Sequence, residues 1–505
     1  MRHRFRRAGS LAMAGCVAAA GVLMGTGHAG ADPAADFSSD DMMETVRDLT
    51  EIAPRATGSP GGLEAAEYVA DRYRRAGLSD VHFEEVTSYD WTASGAALAV
   101  GDSAIDAAPV AHSFIPADAG PGYRTTGTDG LTAPVVDIGT GSVEGVDVRG
   151  KIVLFDLDFI LPVFGLLPFA EAIHDPDNDR FDPELLFGAN PYVTSLESTV
   201  RAAQAAGAVG FVGVLAEYFD SNRYHNEYYR RLAMTIPGMW VTRNEGARVR
   251  DLLPQNAGNI RIDLTVDRRP VTARTVVGML PGRSADTVMI QSHHDSVGTG
   301  AVEDASGTAE VIALADHYGA EAQRPGASLR EKSLMFVTFD THFTGYQSHM
   351  AFVKKYIQDR ATPWNIVANA TIEHVGKHAR IAEDGKLITL DRPEPKGIFE
   401  NLNLGMKFEM AETLRRNDVR GTTLLNATIP QALGGIPTDA SFVLVAGVPT
   451  VSLIAGPLYM YDDADTIDKV DTTQLVPVAQ FYRDVVDRLD FEPSAGIGLL
   501  PGPIR

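Results

Sequence analysis

The sequence predicts an α/β fold, a mainly parallel mixed sheet covered by helices on both faces, with a β-rich unit inserted into it. Three observations carry this reading. From residue 275 onward the apolar runs TVVGMLPG, TVMIQSHHD, SLMFVTFD, NIVANATIEHVG and VPTVSLIAG are β-rich, with Ala/Leu-rich helical patterns between several of them; strands buried on both faces look like this. Between about residues 92 and 265 the texture changes to short strands and Gly-rich turns. A chain of 505 residues also exceeds what one hydrophobic core usually organises, so two folded units are expected.

Residues 1–31 read as a secretory signal peptide, with a basic head, an Ala/Gly/Leu/Val stretch and a small-x-small end at Ala29-Gly30-Ala31. Cleavage there leaves Asp32 first and places the protein outside the cytoplasm, secreted or in the cell envelope. Arg6-Arg7 fits a twin-arginine route, and Cys16 after Met13-Ala14-Gly15 loosely resembles a lipoprotein box. Removing the four arginines of this segment takes the formal net charge from −22 to −26, a surface that repels phosphate backbones and disfavours nucleic acid as a partner. Cys16 is the sole cysteine, so the processed chain has neither disulfides nor thiol catalysis, and no apolar run after the signal is long enough to span a bilayer.

The first part of the main unit, 32–91, opens with SSDDMMETVRDLTEI, in which Ser38 or Ser39 caps a helix with Met42, Met43, Val46 and Leu49 on one face. A second helix is expected from about Leu63 to Ala76, stopped by Gly77, and VHFEEV (81–86) alternates like a half-buried strand. The insertion, 92–265, contains APVVDIGTG, RGKIVLFD, AAQAAGAVGFVGV and IPGMWVTRNEG. This order, a strand, a "GK" turn into another strand, an Ala-rich helix and a further strand, resembles a protease-associated domain. Within it FILPVFGLLPF (159–169) reads as a buried loop, with a lid or a membrane-facing patch as alternatives. DPDND (175–179) invites a calcium loop, but Arg180 stands where such a loop needs Gly and Leu186 where it needs Glu, so a solvated acidic turn is expected. Residues 266–490 complete the main unit, and the Pro/Gly-rich 491–505 reads as a loose tail.

The residues that carry chemistry lie where strands are expected to end, the place where ligands bind in such sheets. They are His293, Asp295, His342 and Glu373, with GAVEDASG between the first pair and the next helix. Successive side chains at a strand end face opposite ways, so one of His293 and His294 can face the site while the other packs away. His374 and His378 are four apart, but Gly376 and the strand-like run before them argue against a helical metal pair. There is no G-x-S-x-G elbow, H-E-x-x-H or phosphate loop.

SHHDSVGTGAVEDASG (292–307), with TDASF (438–442), GVPT (447–450) and DTIDKVD (465–471), resembles the co-catalytic zinc exopeptidases that include aminopeptidases, glutaminyl cyclases and glutamate carboxypeptidases. The resemblance extends over nearly the whole processed chain. It implies a zinc exopeptidase-like fold and a metal site whose bridging carboxylate is Glu303, with Asp304 at the neighbouring Asn position. The family's "E-E-x-G" becomes His342-Phe343-Thr344-Gly345, its ligand aspartate becomes Glu373, and its last histidine becomes Tyr461. Carried over, these positions give one competent zinc site (His293, Glu303, Glu373) and a second one lost to Phe343 and Tyr461. Asp295 is implied to orient His293. His342 occupies the place of the general base; base, fourth ligand and relic remain open for it.

The function implied is an exported zinc-dependent peptidase or amidohydrolase of the aminopeptidase type, holding one ion and acting on a peptide or other amide. The alternative is a catalytically inactive binding protein resembling transferrin-receptor ectodomains, which have lost metal ligands.

Overall fold

The computed structural model describes residues 37–160, 163–178, 191, 193–225 and 232–500. The signal peptide with Cys16, positions 179, 180 and 186 of the acidic-turn reading, and 501–505 of the tail lie outside the described residues. The helix Ser39–Ile52 starts where a cap is available: Ser38 Oγ accepts from the Asp41 N–H at 3.2 Å. Its face of Met42, Val46 and Leu49 is buried. The helix Pro60–Arg75 is capped likewise by Ser59 and buries Ala65, Ala66, Val69, Ala70 and Tyr73.

The main unit is a mixed sheet with a parallel centre. Ser333–Phe339, Asp286–His293, Asn365–Ile372 and Thr450–Ala455 run side by side in parallel. Asn259–Leu280 closes one side antiparallel to Ser333–Phe339. On the other side come Lys396–Glu400, Thr422–Asn426 and Ala170–His174. The central strands are buried on both faces, as their unbroken apolar runs require. The carboxyl ends of Asp286–His293, Ser333–Phe339 and Asn365–Ile372 therefore sit together, and the helix Gly307–Gln323 leaves from the loop after the first of them.

Between residues 92 and 265 a second set of parallel strands, Leu131–Gly139, Ile152–Asp156, Gly210–Leu215 and Gly238–Thr242, carries the helices Leu196–Ala205 and Arg243–Leu252. Its own core includes Leu154, Val212, Met239 and Ile262. The expected borders at 92 and 265 fall inside two long strands, Ser79–Val100 and Asn259–Leu280, which pair antiparallel from Ser79 opposite Met279 to Ala99 opposite Arg261. Both parts thus share one continuous ribbon.

The described part of the apolar 159–169 run is mostly packed. Phe159 sits against Tyr218 and Tyr224, and Leu166 and Phe169 lie on a cluster with Phe399, Leu425 and Ile436. In the acidic turn Asp177 pairs with Arg420 at 3.0 Å. The loose-tail reading needs correcting for 494–500: Ile497 is buried, its carbonyl accepts from the Asn403 N–H, and Leu499 donates to the Asn401 carbonyl. An apolar side chain and two backbone hydrogen bonds outweigh the Pro/Gly composition there.

Two glycines make room for rings in the 92–265 part. A Cβ at Gly238 would lie 2.1 Å from Phe211 Cζ, and one at Gly213 would lie 2.2 Å from Trp240 Cζ3. Gly238→Ala is expected to lower the unfolding free energy by about 1–3 kcal/mol through overpacking, measured by urea titration, with the melting temperature falling in step.

Candidate metal centre

His293 is the last residue of its strand. His294 turns to the opposite side, where its Nδ1 meets Thr338 Oγ1 at 3.1 Å, and Asp295 returns to the His293 side. The loop that follows is built around the buried guanidinium of Arg55, which donates to the carbonyls of His294, Thr299 and Gly300 and to that of Leu49. Gly300 is in the left-handed region at φ 58 and sits so close to Arg55 that a Cβ would lie 2.9 Å from Nη2; only glycine fits this turn without strain. The chain then presents Glu303 in an extended conformation just before the helix. Asp465 clamps the turn by accepting from the Val302 and Glu303 N–H groups at 2.9 Å each.

Three imidazoles converge on the Glu303 carboxylate. His293 Nε2 is 3.4 Å and His342 Nε2 3.2 Å from Oε1, and His374 Nε2 lies against Oε2. Each ring has its other nitrogen on an acceptor. His293 Nδ1 faces the Asp295 carbonyl and carboxylate at 3.2 and 3.3 Å; His342 Nδ1 meets Asp439 Oδ1 at 2.9 Å; His374 Nδ1 meets the Ala455 carbonyl at 2.7 Å. An acceptor on Nδ1 puts the proton there and leaves the Nε2 lone pair facing the centre, the tautomer a metal ligand needs. Among the described residues, the buried His293 Nε2 and both Glu303 oxygens have no partner in hydrogen-bond geometry, only the ion-pair contacts just given. Donor atoms of His293, Glu303 and His374 all fall within 4.8 Å of one another, so this set fits a single divalent ion of the kind imidazole and carboxylate bind.

His293 and Glu303 meet at this centre, but the expected third ligand Glu373 is in neither of the two ligand groupings found among the described residues, His293–Glu303–His374 and His293–His342–Asp439. Glu373 Oε1 instead accepts from the Asp439 N–H at 3.1 Å. The physical reason is local: His374 takes a left-handed φ of 63 directly after the strand, which brings the next side chain round into the centre. His378 is not its partner, since it lies on the strand Lys377–Ile381 and bonds Glu394 at 2.7 Å. Asp304 is saturated by Ser292, Gly307 and His374 backbone or hydroxyl donors, which leaves Glu303 as the available carboxylate. Asp295 and His342, expected in the site, are both in it.

Asp439, His349 and Asp465 were not singled out from sequence. Asp439 lay in the TDASF segment and His349 seven residues after His342, so their motifs were visible while their roles were not. Asp439 Oδ2 is 3.0 Å from His349 Nε2, whose ring stacks on Phe339 at 4.0 Å. Phe343 and Tyr461 stand edge to face at 6.0 Å, both buried.

Burial alone would depress the imidazoles, yet the carboxylates override it in the ion-free protein. Asp439 and Glu303 raise His342 to about 9 against burial and the His293 charge, and Glu303 raises His374 to about 9. Burial tends to raise Glu303, but His374, His293 and His342 hold it well below the usual carboxylate range. Burial and the nearby Asp439 charge push Glu373 well up.

Residues 275–486 match the model of Peptidase family M28. Among solved structures, the chain is similar to the Peptidase M28 precursor of Shewanella amazonensis (TM-score 0.62, 18% identity, 93% of this chain and 100% of that one). It is also similar to a zinc aminopeptidase of Bacillus subtilis (TM-score 0.59, 15% identity, 92% and 98%). A third is the aminopeptidase of Aneurinibacillus sp. strain AM-1 (TM-score 0.58, 18% identity, 93% and 97%). At these identities the likeness is one of fold. No curated protein matches.

Folded pKa values of about 9 for His342 and His374, against an ordinary 6.5, mean that their contribution to stability is complete below pH 6.5 and is lost as pH rises through 9. Thermal melts of chelator-treated protein are expected to show a falling melting temperature across that window. Excess zinc, which takes the place of the protons, is expected to flatten it.

Proposed function

Starting from the Peptidase family M28 domain that residues 275–486 form, we propose that this protein is a metal-dependent peptidase of the aminopeptidase type, holding one zinc ion through His293, Glu303 and His374. The observation that carries this is the convergence of three imidazole Nε2 atoms on a buried carboxylate, each imidazole backed by an acceptor on Nδ1. Buried charges on this scale are costly unless paired or bound to a metal.

Bound there, zinc supplies a Lewis acid for the scissile carbonyl and an acidified water. The rest falls to this chain's own residues. Asp295 holds the His293 ring in orientation. His342, 3.2 Å from Glu303 Oε1, the oxygen that His293 also faces, takes the proton of the attacking water on Nε2 and returns it to the departing amine, at a stage when Nδ1 is protonated and held by Asp439. The new C–O bond forms first, at the carbonyl carbon, and the C–N bond breaks afterwards, when His342 has given its proton to the departing nitrogen. Phe343 and Tyr461 stand at the two positions that would supply further ligands to a second ion. A phenylalanine has no donor atom and a tyrosine is a poor zinc ligand, which supports the one-ion reading.

Export to the cell exterior and a peptide or amide substrate, with no nucleic acid partner, complete this reading. They rest on the first 31 residues and on the family domain. The same loss of donors at 343 and 461 favours a second reading, a non-catalytic binding protein.

Metal analysis of the purified protein together with an aminoacyl-arylamide panel separates the two. One equivalent of zinc and chelator-sensitive cleavage are expected; no bound metal and no cleavage in added zinc would leave only the binding reading. His293→Ala and His374→Ala are each expected to abolish metal retention, while Tyr461→Phe retains it. Asp295→Asn is expected to weaken metal affinity by about 10–100-fold.

A further inference from the structure

Asp439 is buried and shared between two imidazoles: Oδ1 is 2.9 Å from His342 Nδ1, and Oδ2 is 3.0 Å from His349 Nε2. An ionised carboxylate only accepts hydrogen bonds, so both ring nitrogens must donate to it. For His342 this fixes the proton on Nδ1 and aims Nε2 at Glu303. His349 has no place in the metal cradle. It lies on the helix Gln347–Phe352, stacked on Phe339, and its Nδ1 makes no hydrogen bond. Among the described residues, the one hydrogen bond of that ring is the donation to Asp439. A second donor on the far oxygen sets the carboxylate plane, which one contact to His342 would leave free to rotate. The backbone N–H of Asp439 is spoken for as well, donating to Glu373.

We propose that Asp439, braced by His349, is the positioning residue for His342, holding it in the one tautomer whose Nε2 can take a proton at the centre. Burial alone would raise the Asp439 carboxyl, but the facing His342 and His349 imidazoles hold it well below the usual range, so it is ionised as the geometry requires. Asp439→Asn keeps the shape and replaces one accepting oxygen with a donating NH2 group. The two imidazoles then cannot both donate, and His342 loses its enforced tautomer.

The rate arm of the test rests on the peptidase reading; the tautomer arm does not. With 15N-labelled histidine, long-range proton–nitrogen spectra of the zinc-saturated wild-type protein are expected to show His342 protonated on Nδ1, and those of Asp439→Asn a loss or inversion of that pattern. The variant is expected to keep its equivalent of zinc and its KM, with kcat lower by about 10²–10⁴-fold, the span from loss of general base catalysis to a wrongly held tautomer. His349→Phe, which keeps a ring but no donor, should move both readouts the same way by less. His349→Gln, which restores an N–H donor, should recover them. Zinc lost from Asp439→Asn would make Asp439 a ligand and overturn the proposal, and so would an unchanged His342 spectrum. Wild-type protein that neither holds zinc nor cleaves any substrate fails the peptidase reading instead; spectra of that metal-free protein, recorded above pH 9, then decide the role of Asp439.

Discussion

The centre depends on one buried cation. Arg55 is fully buried, and burial lowers its pKa to about 10 against the pull of Asp465, Asp295, Asp304 and Glu303, so it stays charged at any physiological pH. Its donors go to four carbonyl oxygens, three of them on the loop between His293 and Glu303. That loop has no regular structure of its own to hold it. Were Arg55 removed, three buried carbonyls and the half-buried one of Thr299 would lose a donor, each buried one at a cost of about 1–3 kcal/mol, and the spacing between His293 and Glu303 would lose its support.

Electrostatics gives the cradle its character. Asp295, Glu303, Asp304, Glu373, Asp439 and Asp465 are all buried around it; burial and the Asp439 charge keep Glu373 toward its neutral form, and Arg55 alone cannot balance the others. In the ion-free protein the imidazoles make up part of the difference by holding protons. A divalent cation would displace those protons and take over the same task, so metal uptake and proton release are coupled in this site. Beside the imidazoles, the aromatic pair of Phe343 and Tyr461, with Phe343 4.8 Å from the His342 ring, offers no charge.

Much of this could be read from the sequence. The strand runs were continuous and apolar, so the parallel centre and the expectation of His293, Asp295, His342 and Glu373 at strand ends followed from that pattern, while Glu303 came from the resemblance. What could not be read depended on single backbone torsions or on distant pairing. Glu373 fits the family's spacing, but the left-handed turn at His374 brings the neighbouring ring into the centre, and a torsion of that kind leaves no mark in composition. Asp439 and His349 are 90 positions apart, and no local pattern links them. The Ser79–Val100 and Asn259–Leu280 strands run across the expected borders at 92 and 265, because the change of texture along them marks a change of neighbours rather than an end of pairing.

The Arg55 contacts also bear on the order in which the molecule is made. Three of its four acceptors lie some 240 residues further along the chain, and the Asp465 clamp on the same loop comes 163 residues after Val302. During synthesis from the amino end, the first helices emerge with an unsatisfied guanidinium and no loop to close around. The cradle can close only after nearly the whole polypeptide has left the ribosome, and a chain cut short before residue 465 lacks the carboxylate that clamps its loop.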